Sequence, residues 1–417
     1  MTASDKGLCK GLITGGKGLR LGVFSSQIFW LHRGRYATDE AFVKFVTAFT
    51  PYFDKIFFFD SVAREHHDAP YFLDSDKIQV CAIPPYNLCL HTSWVRGLAT
   101  LPRIFQIAKT NIPCWDLAWI HGPHPVGLLL AHLCQKSGKP FFLFVRQNLP
   151  VYVSHRSQGL KRYLAMAIAG ALESCFQRLS RDALTFAVGR EMFHIYQKCG
   201  GRVEEVYVSL IGCRDIQKGN REGSKTRLSP IRILSVGRLD PEKGMVFLIE
   251  ALRRLIQECG RNVVLDIVGT GNLEETLQRK VEEQGLSGRV RFHGYVPHGE
   301  ELLSLYRNSH IYVLPSLTEG SPQTIFEAMA SGVPVVASRV GGIPYLIQDG
   351  ENGLLVNPRS AQEICNGVGR LIDNRDLRVK LVRAGLETVR QHTLEAERDK
   401  IMGVVAEHFG LRGLRRA

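Results

Sequence analysis

Glu319 and Glu327 bracket a stretch whose residue types suit a bound anion: LTEGSPQTIFEAMASG, running from Leu317 to Gly332. Ser321 is a good helix N-cap, Pro322 fits the first helical position, and Gly332 stands where a helix would end. A helix opening here turns its free backbone N–H groups, around Gly320, Ser321, Gln323 and Thr324, toward an anion, and its dipole adds to the attraction. Glu327 then shares a face with Gln323 and Thr324, while Ile325, Phe326 and Met329 form the buried side. A carboxylate beside an anion cradle suits a ligand that carries both hydroxyls and phosphates.

Three other loops have chemistry of their own. In SVGRLDPEKG, Arg238 and Lys243 follow an apolar run, and two cations there can neutralise a diphosphate that otherwise leaves poorly; the plainer alternative is a surface loop paired to Asp240 and Glu242. VGTGNLEE resembles the opening of a dinucleotide fingerprint, but Glu274 occupies the third glycine position and Glu275 follows. Two acids in a first turn repel a pyrophosphate, so Gly269 and Gly271 are read as a tight turn beside a ligand. The bend FHGYVP, with Gly294, Tyr295 and Val296, offers backbone to a flat base.

The elements that must position these loops follow from the alternation of short apolar runs with helical patterns, which predicts parallel sheets wrapped by helices. At 417 residues and 45% hydrophobic content the chain can hold two cores. The first half has strand-like runs at 19–25, 55–60, 78–83, 117–120, 140–145, 183–188 and 205–209, and helix-like stretches at 39–49, 125–136 and 159–179. The second half has strands at 231–236, 263–268, 290–292, 310–314 and 334–337, with helices at 245–258, 274–284, 300–308 and 322–331. The polar, Gly-containing stretch 215–230 breaks the pattern, so an N-terminal domain is expected over 1–215, a linker over 216–230 and a second domain over 231–392. The fold class is α/β, two doubly wound parallel-sheet domains facing a central cleft.

Ten scattered cysteines without CxxC spacing argue against a zinc knuckle or redox motif and for a reducing compartment. No apolar run has signal-peptide or membrane-spanning length, so the protein is expected in the cytoplasm. The formal charge of +13 is uneven: residues 1–215 carry 25 basic against 16 acidic side chains. Six of those bases and one acid, Glu173, lie between Arg146 and Arg181. Such a face suits an anionic membrane surface at the inner leaflet, a phosphorylated acceptor or nucleic acid, and is equally well a solvated basic surface. The stretch LKRYLAMAIAGALESCFQRLSR is read as a packed helix with an exposed basic edge rather than a membrane-facing one.

Taken in order, GRLDPEKG, VGTG, FHGYVP, EGSPQTIFEAMASGVPVVAS, GGIPYLI and DGENGLLV resemble the carboxyl-terminal domain of the retaining, metal-independent glycosyltransferases of family 4 (group 1), which have the GT-B fold. The resemblance implies a nucleotide-diphosphate sugar as donor, with no metal and no cofactor. It implies that Arg238 and Lys243 hold the diphosphate and that Glu327 takes the ribose hydroxyls. It puts Glu319 at the donor sugar, the amides of Gly320 to Thr324 around the phosphate, and Gly294 to Val296 at the base. It also implies a glycan or lipid-linked acceptor, no nucleic-acid partner, and a terminal helix, about 393–417, crossing back to the first domain.

The first half departs from that family in two places. Many members have adjacent glycines after the first strand; here the loop is SSQIFWLHRGRYATDEAF, where Gly34 and Arg35 are the candidates for a different acceptor loop. After the strand ending at Val145 the family usually places a histidine near the donor sugar, whereas this chain has Arg146, which holds anions but is no base. His121 and His124 in WIHGPHP are candidates for the vacancy. The departures keep open a catalytically silent relative that binds nucleotide sugar or a partner. An NAD-dependent oxidoreductase using VGTGN is the remaining alternative.

Overall fold

The computed structural model describes residues 18–63, 67–86, 94–156, 161–219 and 230–411. The chain divides into two compact units, one of Met1–Val206 with Arg398–Ala417 and one of Tyr207–Glu397. The division falls ahead of the expected linker. Residues 216–219 end the helix Cys213–Gly219, and 220–229 lie outside the described residues.

The second unit is a six-stranded parallel sheet. Its strands, in spatial order, are Val290–Phe292, Val263–Val268, Ile231–Val236, Ile311–Leu314, Val335–Ser338 and Leu354–Val356. Numbered along the unit this is the order 3-2-1-4-5-6, so the sheet changes direction between Ile231–Val236 and Ile311–Leu314. Both strands are almost wholly buried, with Arg232 the one partly exposed residue, as a sheet covered by helices on each side requires. Leu354–Val356 follows the DGENG turn and was not among the expected strands; three residues are too few to show a period.

The first unit repeats the plan with one more strand. Its parallel sheet runs Val203–Val206, Leu184–Val188, Phe141–Val145, Leu117–Gly122, Arg20–Phe24, Lys55–Phe58 and Ile78–Val80. The direction changes between Arg20–Phe24 and Leu117–Gly122. The expected strand at 205–209 lies two residues earlier, at Val203–Val206.

A small four-stranded sheet in the same unit holds Gly34 and Arg35, the candidates for an acceptor loop, in a β-hairpin. Ile28–His32 and Arg35–Thr38 pair antiparallel, with Trp30 opposite Ala37 and His32 opposite Arg35. Arg33 and Gly34 make the two-residue turn, both at positive φ (50° and 82°), the conformation a type I′ hairpin demands. Arg35 lies over the Phe72 ring at 4.7 Å and pairs with exposed Asp74, so its charge is used on the hairpin itself.

Between the helix Phe42–Thr47 and the seven-stranded sheet lies an aromatic layer. Trp119 is fully buried, with Phe49 at 5.1 Å, Phe144 at 5.0 Å and Phe142 at 5.3 Å between ring centroids. Phe42 and Phe45, from the helix Phe42–Thr47, meet its edge. The rings fill the space between helix and sheet, so Trp119→Ala should leave a cavity costing about 3–5 kcal/mol. Thermal unfolding checks this: a midpoint unchanged from the wild type would show that the layer does not carry the first unit.

Candidate active site

At the point where the second sheet changes direction, several loops are tied together by their backbones. Gly237 N–H donates to the Val268 carbonyl (3.0 Å), Leu239 N–H to Thr270 (2.9 Å), Gly269 N–H to Gly294 (2.7 Å) and Leu273 N–H to Leu239 (2.8 Å). Across the switch, Leu317 N–H donates to Glu242 (2.7 Å), and on its far side Gly342 N–H donates to Glu319 (3.1 Å). The glycines exist for these approaches. A Cβ on Gly269, which has φ 131°, would stand 2.0 Å from the Gly237 carbonyl oxygen; one on Gly342 would stand 1.8 Å from that of Gly320.

This packing decides the dinucleotide question. The face of Gly271 is filled by the Leu239 backbone, 2.6 Å from where a Cβ would be, and the helix beyond opens with Glu274 and Glu275. Those two acids oppose the helix dipole and disfavour a pyrophosphate there.

The strand Ile231–Val236 delivers Arg238 and the short turn Pro241–Lys243; the strand Ile311–Leu314 delivers Ser316 and Glu319. Lys243 Nζ and Glu319 Oε1 meet at 2.5 Å, and Ser316 Oγ donates to the same carboxylate oxygen at 2.7 Å. The pair is mostly shielded from water. Arg238 is half exposed and spans two acids, Asp240 at 3.1 Å and Glu242 at 2.9 Å. The structure therefore brings Lys243 and Glu319 together and holds Arg238 on the acids of its own loop.

The helix behind them runs from Gln323 to Ala330, with Pro322 as its N-cap. Ser321 was expected in that position, but its hydroxyl makes no capping bond; it is buried without a hydrogen-bond partner among the described residues. The C-terminus matches expectation: Gly332, at φ 68°, donates to Met329 and Val333 donates to Ala328, a Schellman closure. Ile325, Phe326 and Met329 are buried as the pattern required. Gly294, at φ 67°, makes the bend expected there; Tyr295 is exposed on it and Val296 packs against the core.

Glu327 is buried on the same helix. Tyr306 Oη donates to its Oε2 at 2.8 Å, and His298 Nε2 lies 3.7 Å from its Oε1. Burial pushes this carboxyl up to about 7, against the opposing pull of the tyrosine hydroxyl. Tyr306 and His298 were not singled out from the sequence. Tyr306 had a usable signal, since it falls on the apolar face of the helix Glu300–Asn308 with Leu302 and Leu303, and a buried tyrosine needs a hydrogen-bond partner.

In the first unit the candidates separate. His124 is the N-cap of the helix Pro125–Lys136: its Nδ1 accepts from Val126 N–H at 3.1 Å, which fixes the neutral ring. Burial lowers its pKa to about 4. The ring is thus committed to the helix start rather than to proton transfer. His121 is buried against Phe144, stacked at 5.1 Å and 7°, and Phe42 lies 4.7 Å away. Burial, with Arg146 second, holds its pKa well below the usual range. Arg146 lies over the Phe42 ring at 4.5 Å. Behind them, buried Asp60 accepts from Ser25 N–H (3.1 Å), Ser25 Oγ (2.7 Å) and Gln27 N–H (3.2 Å), and so fixes the loop after the first strand.

Among known proteins, residues 217–388 match the family model described as glycosyl transferases group 1. The D-inositol 3-phosphate glycosyltransferase of Corynebacterium glutamicum is 35% identical over 160 residues, 37% of this chain and 38% of that protein. The first relatives are matched over 38 to 49% of their own length. Among solved structures, sucrose-phosphate synthase of Thermosynechococcus elongatus superposes with TM-score 0.70 at 17% identity, over 94% of this chain and 99% of that one. Alr3699/HepE of Anabaena, solved with UDP-glucose, gives 0.65 at 19%, over 93% and 100%. These likenesses fix the fold as GT-B, two Rossmann-like units.

The Glu327 environment yields a pH test. Below its ordinary value of 4.5 both folded and unfolded chains hold the proton, so the group contributes nothing. Between there and about 7 the unfolded chain releases the proton while the folded one keeps it, so stability falls with rising pH, and above about 7 the loss is complete. Glu327→Gln keeps an acceptor for Tyr306 and removes the loss. It should gain roughly 2–3 kcal/mol on the wild type between pH 5 and pH 8. Thermal unfolding of both proteins across that range checks it; a difference that does not change with pH would show that Glu327 stays ionised.

Proposed function

We propose that this chain is a group 1 glycosyltransferase of family 4 that moves a sugar from a nucleotide-diphosphate donor to a glycan or lipid-linked acceptor, with retention and without a metal ion. The observation that carries this reading is the Lys243–Glu319 pair at the sheet's switch point, in a domain matched by the group 1 family model. A cation there neutralises charge building on a leaving diphosphate, which is what the transfer needs at its bond-breaking step. A bound diphosphate competes with Glu319 for Lys243, and with Asp240 and Glu242 for Arg238; a released Glu319 accepts from the sugar's hydroxyls. The helix start at Gly320 to Thr324 supplies N–H donors to the phosphates. Glu327 takes the ribose hydroxyls and Gly294 to Val296 face the base. Retention proceeds on one face of the sugar, where the leaving phosphate helps to deprotonate the acceptor.

The basic first unit supports an acceptor on an anionic membrane surface at the cytoplasmic side. Val151 and Tyr152 on one helix, and Tyr163 and Leu164 on the next, are exposed apolar side chains beside Arg162, the composition that suits a peripheral contact. Among the described residues no helix is long and apolar enough to cross a membrane.

A panel of nucleotide sugars tests the activity. The active donor should be bound and slowly hydrolysed by the wild type, and Lys243→Met should lower kcat/KM about 100- to 1,000-fold while Glu319→Gln lowers kcat. Binding of UDP or another nucleotide with no turnover of any donor by the wild type would instead favour a silent sugar-nucleotide-binding relative. No nucleotide binding at all would overturn both.

A further inference from the structure

At the carboxyl edge of the first sheet stand three polar side chains that the proposed donor site does not use. His121 ends up at the tip of the strand Leu117–Gly122 and Arg146 directly after the strand Phe141–Val145; these strands are neighbours, with His121 opposite Phe144 and Gly122 opposite Val145. Phe42 is common to both side chains, 4.7 Å from the His121 ring and 4.5 Å from the guanidinium carbon of Arg146. Gln27 belongs to the loop that Asp60 fixes, and the same loop's Ser25 backbone makes a hydrogen bond to the His121 ring.

The hydrogen-bond ledger of this corner is open. His121 Nε2 is buried with no hydrogen-bond partner among the described residues, and the Gln27 amide, also buried, has only a loose contact with the Glu40 carboxylate. His121 is 5% and Gln27 1% exposed, so neither meets water at its surface. Orphaned buried polar atoms are costly, which is tolerated where something else completes them. Arg146 has no carboxylate within ion-pair distance among the described residues; Glu40 acts on it only at longer range. Asp60, the other nearby acid, has its oxygens committed to Ser25 and Gln27. Glu40 acts on the guanidinium at longer range and also engages Gln27, while the Arg146 fork has no carboxylate within ion-pair distance and His121 Nε2 no hydrogen-bond partner among the described residues.

The donor types define what fits. Arginine offers a planar fork matched to a carboxylate or phosphate. The Ser25 bond occupies one nitrogen of the His121 ring, and burial keeps the ring neutral, so Nε2 is an acceptor for a hydroxyl. Gln27 offers one donor and one acceptor. We propose that Arg146, His121 and Gln27 form a subsite within the first unit for a hydroxylated anion, a sugar acid or a sugar phosphate, Arg146 taking the anionic group and His121 and Gln27 its neighbouring hydroxyls.

This deepens the glycosyltransferase reading by naming an acidic sugar as the substrate class, and it rests on that reading only for its place in a reaction; the subsite itself is tested by binding. D-glucuronate and D-glucose 6-phosphate are titrated against the full chain by calorimetry, with D-glucose as the neutral control. One of the two anions, whose identity tells carboxylate from phosphate, should bind saturably and glucose should bind far more weakly. Arg146→Met should weaken the anion about tenfold or more, and Arg146→Lys less. His121→Phe should weaken it while the anion's 1,5-anhydro or deoxy analogues lose the same contribution. Lys243→Met should leave this binding intact, which separates the subsite from the donor's diphosphate cradle.

Absence of saturable binding of either anion to the wild type overturns the proposal, whether or not the variants fold. So does equal binding of glucose, or an anion affinity that survives in folded Arg146→Met. UDP binding is measured alongside: its loss with anion binding retained would sink the donor assignment and leave the subsite standing, and the reverse would sink the subsite alone.

Discussion

Everything at the candidate active site depends on backbone meeting backbone at the switch point of the second sheet. Loops from adjacent parallel strands diverge there, and their N–H and carbonyl groups must be paired if the region is to exclude water. The chain pairs them with each other: 237 with 268, 239 with 270 and 273, 269 with 294, 317 with 242, 342 with 319. Such approaches leave no space for side chains, which is why Gly269, Gly271 and Gly342 stand where they do. The loops are then one body, and the side chains rooted in them are placed by it.

That body explains how Lys243 and Glu319 can be held at 2.5 Å although they are far apart in sequence. An ion pair shielded from water regains by attraction roughly what it loses in desolvation, so it is weak evidence of stability and better evidence of poise. Each partner is oriented by the other. A ligand that offers a phosphate to the lysine and a hydroxyl to the glutamate replaces the pair without leaving either charge alone, so the exchange costs little. Arg238 on Asp240 and Glu242 follows the same logic at a more exposed place, where the exchange is easier still.

The second unit was legible because its loops consist of rare residue types at fixed distances from apolar runs. Strands 231–236, 263–268 and 290–292 and the helix 300–308 coincide with their patterns to the residue. What escaped was pairing across the fold: nothing in the sequence joins Tyr306 to Glu327, or tells that Ser321 sits one residue ahead of the true cap. The hairpin at Arg33–Gly34 escaped for a different reason. Its turn is Arg-Gly rather than Asn-Gly, and the strands flanking it expose Ile28 and Leu31, which blurs the inside-outside alternation that marks a hairpin.

The first unit shows how a missing glycine pair can be replaced. After its first strand the chain still turns through the left-handed region, but with Ser26 at φ 61°. A side chain there costs about 1–2 kcal/mol. The offset is Asp60, buried and accepting from both residues that flank Ser26. Burial pushes that carboxyl up to about 7, so the loop is held by a group whose charge is itself expensive. A glycine pair would have fixed the backbone alone and left the corner bare. The same Asp60 contacts seat Gln27 in the loop, whose Ser25 backbone accepts from the His121 ring, so this loop and position 146 come to one edge of the first sheet.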